Sequence, residues 1–421
     1  MSSSELVIER LGYRGEGVAE GAHGSIFVPY ALPGDTILAD VLGERGRLLD
    51  ILVGSPDRIG AICPYFTVCG GCAVQTLAEP AYAAWKRSIV TTALAHAGVT
   101  ADVAPLVDAH GEGRRRATFH ARSRGHLTDV GFMEARAHKI VDIDFCPVLA
   151  PAMEDALPAA HALAEALGVL DKPLDLIATA TLSGLDVDVR GCGPLPDELR
   201  NVITGLAQSL DLARVSNHGD VLIERRAPQL GMGQAFVSPP PGAFLQATLA
   251  GETALATLTM EAVSGAKHIA DLFAGIGTFS LRLASLAPVH AVETDKAALA
   301  ALGRAANASA GTLRQVTSEA RDLFRRPLTR QECEAFDAVV FDPPRAGAAA
   351  QARMLAGSSV ATVVAVSCNA ASFAQDARVL VDGGYALERV TPVDQFRYSP
   401  HVELVGVFRR AKPRRKKSLL G

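Results

Sequence analysis

No run of about 18 or more apolar residues occurs in the 421-residue chain, so no helical membrane span is expected. The N-terminus, MSSSELVIER, lacks a charged segment followed by an apolar core, so no signal peptide is expected either. These two absences give a cytoplasmic, membrane-free protein as the starting expectation. Aromatic residues make up only 5% of the chain and there is one tryptophan, Trp85, yet 49% of residues are hydrophobic, which excludes a disordered chain. Cysteines number seven, at 63, 69, 72, 146, 192, 333 and 368; an odd count in such a chain is no disulfide framework. Basic charge is also short: the net charge is −4, which argues against nucleic acid on average. That average hides a tail, Arg409–Gly421, with seven basic residues and no acid. A second basic run comprises Arg114, Arg115, Arg116, Arg122 and Arg124.

The length suggests two or three domains. Residues 4–55 carry closely spaced glycines between short alternating runs such as Ser25–Val28 and Thr36–Val41, the pattern of a small barrel. GEGVA followed by IFVPYALPGD resembles the TRAM module, an OB-like RNA-binding barrel. A cysteine-rich stretch and a helical stretch holding Trp85 follow. The next region is mixed: Arg116–Arg122 and Ile177–Val189 alternate as strands do, and Pro151–Leu167 reads as a helix. SPPPGAF (238–244) punctuates its end. The expected units are 1–58, an OB-like barrel; 59–240, a mixed α+β central domain; 241–410, an α/β domain; and 411–421, a basic tail.

Beyond residue 245 apolar runs alternate with helical stretches. The runs are Ile269–Phe273, Val289–Glu293, Ala338–Phe341, Thr362–Ser367, Ala386–Val390 and Leu404–Phe408. Such spacing indicates a buried, mostly parallel sheet in a doubly wound α/β domain, with ligands at the carboxyl ends of the strands. The first run leads into DLFAGIGTFS, where Gly275 and Gly277 permit a tight turn and close ligand approach. Ser280 replaces the third glycine of a dinucleotide fingerprint. The second run ends at Glu293, placed to accept from ribose hydroxyls, and the fourth ends in FDPPR. Together these motifs resemble a class I, Rossmann-like S-adenosylmethionine-dependent methyltransferase, whose ligand has no pyrophosphate to need that glycine.

The fifth run enters SCNAASFAQD, which puts Cys368 at a strand's carboxyl end and just before a helix, where a thiolate would be favoured. SCNAASFAQD, DPPRAG and DQFRYSPHVE (394–403) together resemble the RNA uracil-5-methyltransferase family, and the likeness spans nearly the whole chain. Ala370 stands where the family usually has proline and Ala274 where it often has cysteine, and Arg397 and Pro400 alter the final motif; no reacting group is lost. The resemblance implies methylation of uridine C5 in structured RNA, with Cys368 as nucleophile and Glu403 as the base that removes the C5 proton. It implies S-adenosylmethionine held by Gln246, Phe273, Glu293 and Asp342, with Asp322 toward the adenine, and Asp342 and Arg345 against the uracil.

Cys63-x5-Cys69-Gly70-Gly71-Cys72, with the later Cys146-Pro147, suits zinc or a cubane iron–sulfur cluster. One short pair, a gap and a remote Cys-Pro favour [4Fe–4S], which is also the pattern of the family's cluster-bearing branch. That branch acts on ribosomal RNA, so 23S RNA is favoured over transfer RNA, and a monomer is expected. Phe119, His120 and His126 interleave with the arginines of 114–124, as in surfaces that stack bases and hold phosphates. Two rivals stand beside this reading. A radical methylthiotransferase would need C-x3-C-x2-C, which is missing. A catalytically silent RNA chaperone has no need of Cys368 and Glu403.

Overall fold

The computed structural model describes residues 2–22, 24–125 and 127–410; the tail 411–421 and His126 lie outside the described residues. Among them no helix is long and apolar enough to cross a membrane. The N-terminal region is a six-stranded sheet curled on itself. The segment 2–11 supplies both of its edges: Ser2–Val7 pairs with Thr36–Leu42, and Arg10–Leu11 pairs with Glu16–Gly21. Ile8, Val28, Ile37 and Ala39 fill the interior. The curl is tight at Gly17, where an added Cβ would lie 2.7 Å from the Ala31 carbonyl and 2.9 Å from Ile8, so a larger residue would force the strands apart.

The central region is a seven-stranded mixed sheet. Its middle strands are Arg116–Arg124, Leu174–Thr181 and Gly184–Arg190. Helix Ala156–Leu167 covers one face because Leu157, Ala160, Leu163, Ala164 and Leu167 recur at helical spacing and are all buried. The alternating stretch 177–189 is a hairpin of two strands, with Gly184 at the reversal.

The C-terminal region is an eight-stranded sheet. Its order is Val316–Ala320, Val289–Glu293, Ile269–Leu272, Ala338–Phe341, Thr362–Ser367, Glu403–Arg410, Tyr385–Asp394 and Val107–Asp108. The first five are parallel, and the hairpin 385–410 adds two antiparallel strands. The order reverses between Ile269–Leu272 and Ala338–Phe341, which opens a crevice at their carboxyl ends. The edge strand Val316–Ala320 is absent from the runs read in the sequence, because it alternates with Thr, Ser and Glu instead of running apolar.

Residues 81–109, grouped by sequence with the central region, pack here instead. Val107–Asp108 extends the large sheet beside Tyr385–Asp394. Helix Ala81–His96 lays Val90 and Leu94 into the same core as Phe373, Ala377 and Leu380 of helix Ala370–Asp382. An apolar helix face does not declare in sequence which sheet it will cover.

A buried ion triad joins the central and C-terminal regions. Glu252, fully buried, accepts from Arg115 and from Arg282 Nη2 at 2.6 Å. Arg115 also donates to the Gln246 carbonyl (3.3 Å), and Arg282 to the Thr278 carbonyl (2.8 Å). Glu252→Ala would leave two buried guanidiniums unpaired. We expect a loss of about 3–5 kcal/mol of stability, measured by urea denaturation; Glu252→Gln, which keeps one acceptor, should lose less.

Candidate functional site

At the crevice, strand Ile269–Leu272 gives way to a turn in which Phe273 (φ 60°), Gly275 (φ 54°) and Gly277 (φ 99°) are all left-handed. Glu293 ends the neighbouring strand, since Leu272 pairs with Val292. Its carboxylate grips the turn: Gly275 N–H donates to Oε2 (2.9 Å), and the amides of Thr294 and Asp295 donate to Oε1 (2.6 and 3.0 Å). Below the turn, Ser280 Oγ donates to the buried Asp271 (2.5 Å), whose other oxygen has no partner and whose pKa burial lifts to about 7. The Phe273 ring lies 5.5 Å from that of Phe324, which is half exposed. Asp322 accepts from the amides of Phe324 and Arg325 (3.0 and 3.3 Å), so its carboxylate shapes the loop beside Phe273.

A chain of amides and carboxylates runs from the DPPR loop to the last strand. Gln246 Nε2 donates to Asp342 Oδ2 (3.0 Å), and Gln395 Nε2 donates to Gln246 Oε1 (2.6 Å) and to Glu403 Oε1 (3.1 Å). Glu403 is 2% exposed and its Oε2 has no partner. Burial raises its pKa to about 7. Asp342 is held well above the carboxylate range by burial and by the facing Glu403. Gln395, which joins the two halves, stands out in sequence only as part of the DQFRYSPHVE motif.

Register brings the thiol to this chain. Ser367 pairs with Leu404, so Cys368, one residue beyond its strand, comes beside Glu403, which begins the next. Asn369 caps the following helix through the amides of Ala371 and Ser372 (2.9 and 3.2 Å). Asp376 of that helix accepts from Ala348 N–H (2.7 Å), which fixes the end of the DPPRAG loop. The thiolate expected at this helix start is not favoured in the resting site. Burial, then Glu403 and Asp342, push the Cys368 thiol up to about 11, and Arg345 offsets only part of this. Arg345 Nη2 lies 3.2 Å from His401 Nε2. Burial, with Arg345, Lys86 and Arg114, holds His401 down at about 4, so its ring is neutral at pH 7.

A cation brought beside these carboxylates should restore the thiolate. We expect alkylation of Cys368 to rise with pH toward 11 in the free protein. A bound sulfonium should shift that profile to lower pH, whereas the uncharged thioether S-adenosylhomocysteine should not. Mass spectrometry of the peptide containing residue 368 reads both curves.

Cys63, Cys69, Cys72 and Cys146 line one cavity of about 250 Å³, together with Tyr65 and Arg114. All four are free thiols, and burial raises Cys146 to about 11. Among the described residues no group of three or more His, Cys, Asp or Glu is placed to hold a single ion. Cys192 and Cys333 are buried elsewhere.

The basic run divides between one buried pair and surface pairs. Phe119 is fully buried against the central core, Arg115 belongs to the Glu252 triad, His120 Nδ1 pairs with Asp175 (2.7 Å), and Arg122 with Asp171 (3.2 Å). Strand alternation turned half of these residues inward. Arg114 reaches the loop that carries Glu403, its guanidinium 5.6 Å from the Phe396 ring centre.

Residues 240–412 match the family model described as tRNA (uracil-5-)-methyltransferase. An uncharacterized RNA methyltransferase of Brucella suis is 43% identical over 97% of this chain and 99% of its own length. A 23S rRNA (uracil(1939)-C(5))-methyltransferase of Chromohalobacter salexigens is 33% identical over 97% of this chain and 90% of its own. The crystal structure of a Pyrococcus abyssi tRNA (uracil-54, C5)-methyltransferase with S-adenosyl-L-homocysteine shares the fold, with a TM-score of 0.74 and 22% identity over 96% of this chain and all of that one. The curled sheet, the glycine turn facing Glu293, and the thiol beside two carboxylates thus occur in a chain that belongs to the RNA (uracil-5-)-methyltransferase family.

Proposed function

We propose that the protein methylates C5 of a uridine in 23S ribosomal RNA through a transient bond between Cys368 and C6. The observation that carries this reading is the buried pocket in which Cys368 meets Glu403, a carboxylate with one unpartnered oxygen and a pKa near 7. C5 of uracil is too weak a nucleophile to attack a methyl sulfonium unaided. Addition of the Cys368 sulfur to C6 breaks the C5–C6 double bond and leaves an enolate with carbanion character at C5. S-adenosylmethionine, when bound, supplies the electrophilic methyl group. Glu403 then takes the C5 proton, the double bond re-forms and the sulfur leaves.

Each remaining residue has a place in this scheme. The glycine turn and Glu293 would hold the ribose of the cofactor, and Phe273 with Phe324 its adenine. Asp342, fixed by Gln246, faces both cofactor and base. The uracil must leave its stack to reach such a pocket, and Arg114, Arg345 and Arg397 would meet the flanking phosphates.

The four cysteines would hold a [4Fe–4S] cluster. Their fit rests on the donor set: four thiols, with no His, Asp or Glu beside them, on the walls of one cavity. Methyl transfer needs no electron, so the cluster would be structural. The ribosomal target is supported by the full-length likeness to the Chromohalobacter enzyme and by the curled N-terminal sheet, which we read as the TRAM-like RNA-binding barrel. Mapping 5-methyluridine in ribosomal and transfer RNA from cells with and without the protein tests the target. Loss confined to transfer RNA would overturn it, and loss from neither would favour the silent chaperone.

A further inference from the structure

Helix Ala81–His96 carries a lysine that the scheme above does not use. Lys86 is 0% exposed. Its Nζ lies 5.6 and 5.9 Å from the ring centres of Tyr82 and Trp85. All three of its donors are engaged, and all point to one segment: Asp394 Oδ1 (2.8 Å), the Phe396 carbonyl (3.3 Å) and the His401 carbonyl (2.5 Å). One helical turn earlier, Tyr82 Oη donates to Asp394 Oδ2 (2.6 Å) and accepts from Tyr398 N–H (2.9 Å). The Tyr398 carbonyl accepts from the amides of Ala73 and Val74 (2.7 and 3.1 Å), directly after Cys72. Two side chains at i and i+4 therefore hold both limbs of the loop 394–403, and the cysteine segment grips its tip.

That loop delivers two groups to the pocket, Gln395 and Glu403. Gln395 also reaches Gln246 and, through it, Asp342, whereas the thiol and the glycine turn are fixed without the loop. Cys368 is set by its strand and by the Asn369 cap, and the glycine turn by Glu293. Among the described residues none of those hydrogen bonds involves Tyr82 or Lys86.

We infer that Lys86 and Tyr82 are positioning residues for the elimination half of the reaction, because they hold the loop that aims Glu403 at the C5 proton. The inference rests on the role proposed for Glu403. Loosening the loop should leave addition of the thiol and methyl transfer intact and slow only removal of the proton, so that methylated RNA stays bonded to Cys368.

The test uses Lys86→Met and Tyr82→Phe in the full chain, with total RNA from cells lacking the protein and labelled S-adenosylmethionine. Tyr82→Phe keeps the Lys86–Asp394 pair and guards against a folding defect in Lys86→Met. Three quantities are read: methyl transfer in a single turnover, the fraction of protein held covalently on RNA in a denaturing gel, and affinity for S-adenosylhomocysteine. We expect near-wild-type first-turnover transfer and cofactor-product affinity, a covalent fraction well above wild type, and steady turnover reduced by roughly 10²-fold, the cost of misplacing a reacting group by about 1 Å. Wild-type clearance of the adduct in both variants would overturn the inference. So would loss of S-adenosylhomocysteine binding in both, which would make the pair a fold element only. Glu403→Gln run in parallel separates the two readings. No stalled adduct in Glu403→Gln removes the role of Glu403 and this inference with it. A stalled adduct there, with normal clearance in the other two, removes this inference alone.

Discussion

Cys368→Ala should abolish methylation and covalent capture of RNA, with a fall in kcat on the order of 10⁶-fold, the scale reached when the nucleophile of a catalytic unit is removed. The size of the effect follows from the substrate. In the proposed mechanism, no carbanion character develops at C5 without sulfur at C6. The side chain is half-buried and makes no hydrogen bond that supports the fold, so the variant should fold and bind the cofactor normally. The measurement is methyl incorporation into RNA from cells lacking the protein, with S-adenosylhomocysteine affinity as the control. Residual turnover at a wild-type rate would remove the covalent mechanism.

Glu403→Gln should have a different signature. The thiol still adds and the methyl still moves, but no base takes the C5 proton. The expected result is a protein–RNA adduct that survives denaturation and already contains the new methyl group, with kcat lower by roughly 10²–10⁴-fold. The pH profile gives a second check. Burial holds Glu403 near 7, and burial with the facing Glu403 also raises Asp342 well above the carboxylate range. The base form is therefore populated as pH rises through about 7, and wild-type kcat should climb across that range. Glu403→Gln should lose that limb. Because the two carboxylates titrate together, the limb belongs to the pair. The neutral amide should also ease the Cys368 thiol downward from about 11, since Glu403 is one of the groups that raise it. Faster alkylation of Cys368 at a given pH would register that change.

The resting pocket is poised against ionisation of Cys368, the proposed nucleophile. Two carboxylates and burial keep the sulfur protonated, and Arg345 does not reverse them. A cationic methyl donor changes that balance and its neutral product restores it. The thiol would thus ionise when there is a methyl group to transfer, a link between cofactor charge and nucleophile that the alkylation experiment measures directly.

Much of this protein can be read along the chain because the relevant physics is local. A glycine turn needs its glycines within a few residues, and DLFAGIGTFS shows them. Buried strands are short apolar runs, and six of the eight strands of the large sheet announce themselves that way, four of them parallel. Three cysteines within ten residues and a later Cys-Pro signal a common site, and the fold brings all four to one cavity. Cys368 and Glu403 can be named from sequence because each lies in a distinctive motif, near the start of SCNAASFAQD and at the end of DQFRYSPHVE.

What the sequence hid depends on partners far apart. Lys86 looks like a surface lysine on a helix until Asp394, 308 positions away, is placed beside it. Glu252 looks like a helix-surface acid until Arg115 arrives from 137 positions earlier. The arginine run looks like an RNA face, but Arg115 is spent on the buried pair with Glu252 and strand pleating buries Phe119. Sequence alone picked out the candidate reacting groups, through their motifs, and the order of the α/β elements, through residue type and short-range period. Only the tertiary structure decided how those groups are charged and aimed. Burial and the facing of distant side chains set a pKa or a loop position, and neither has a local signature.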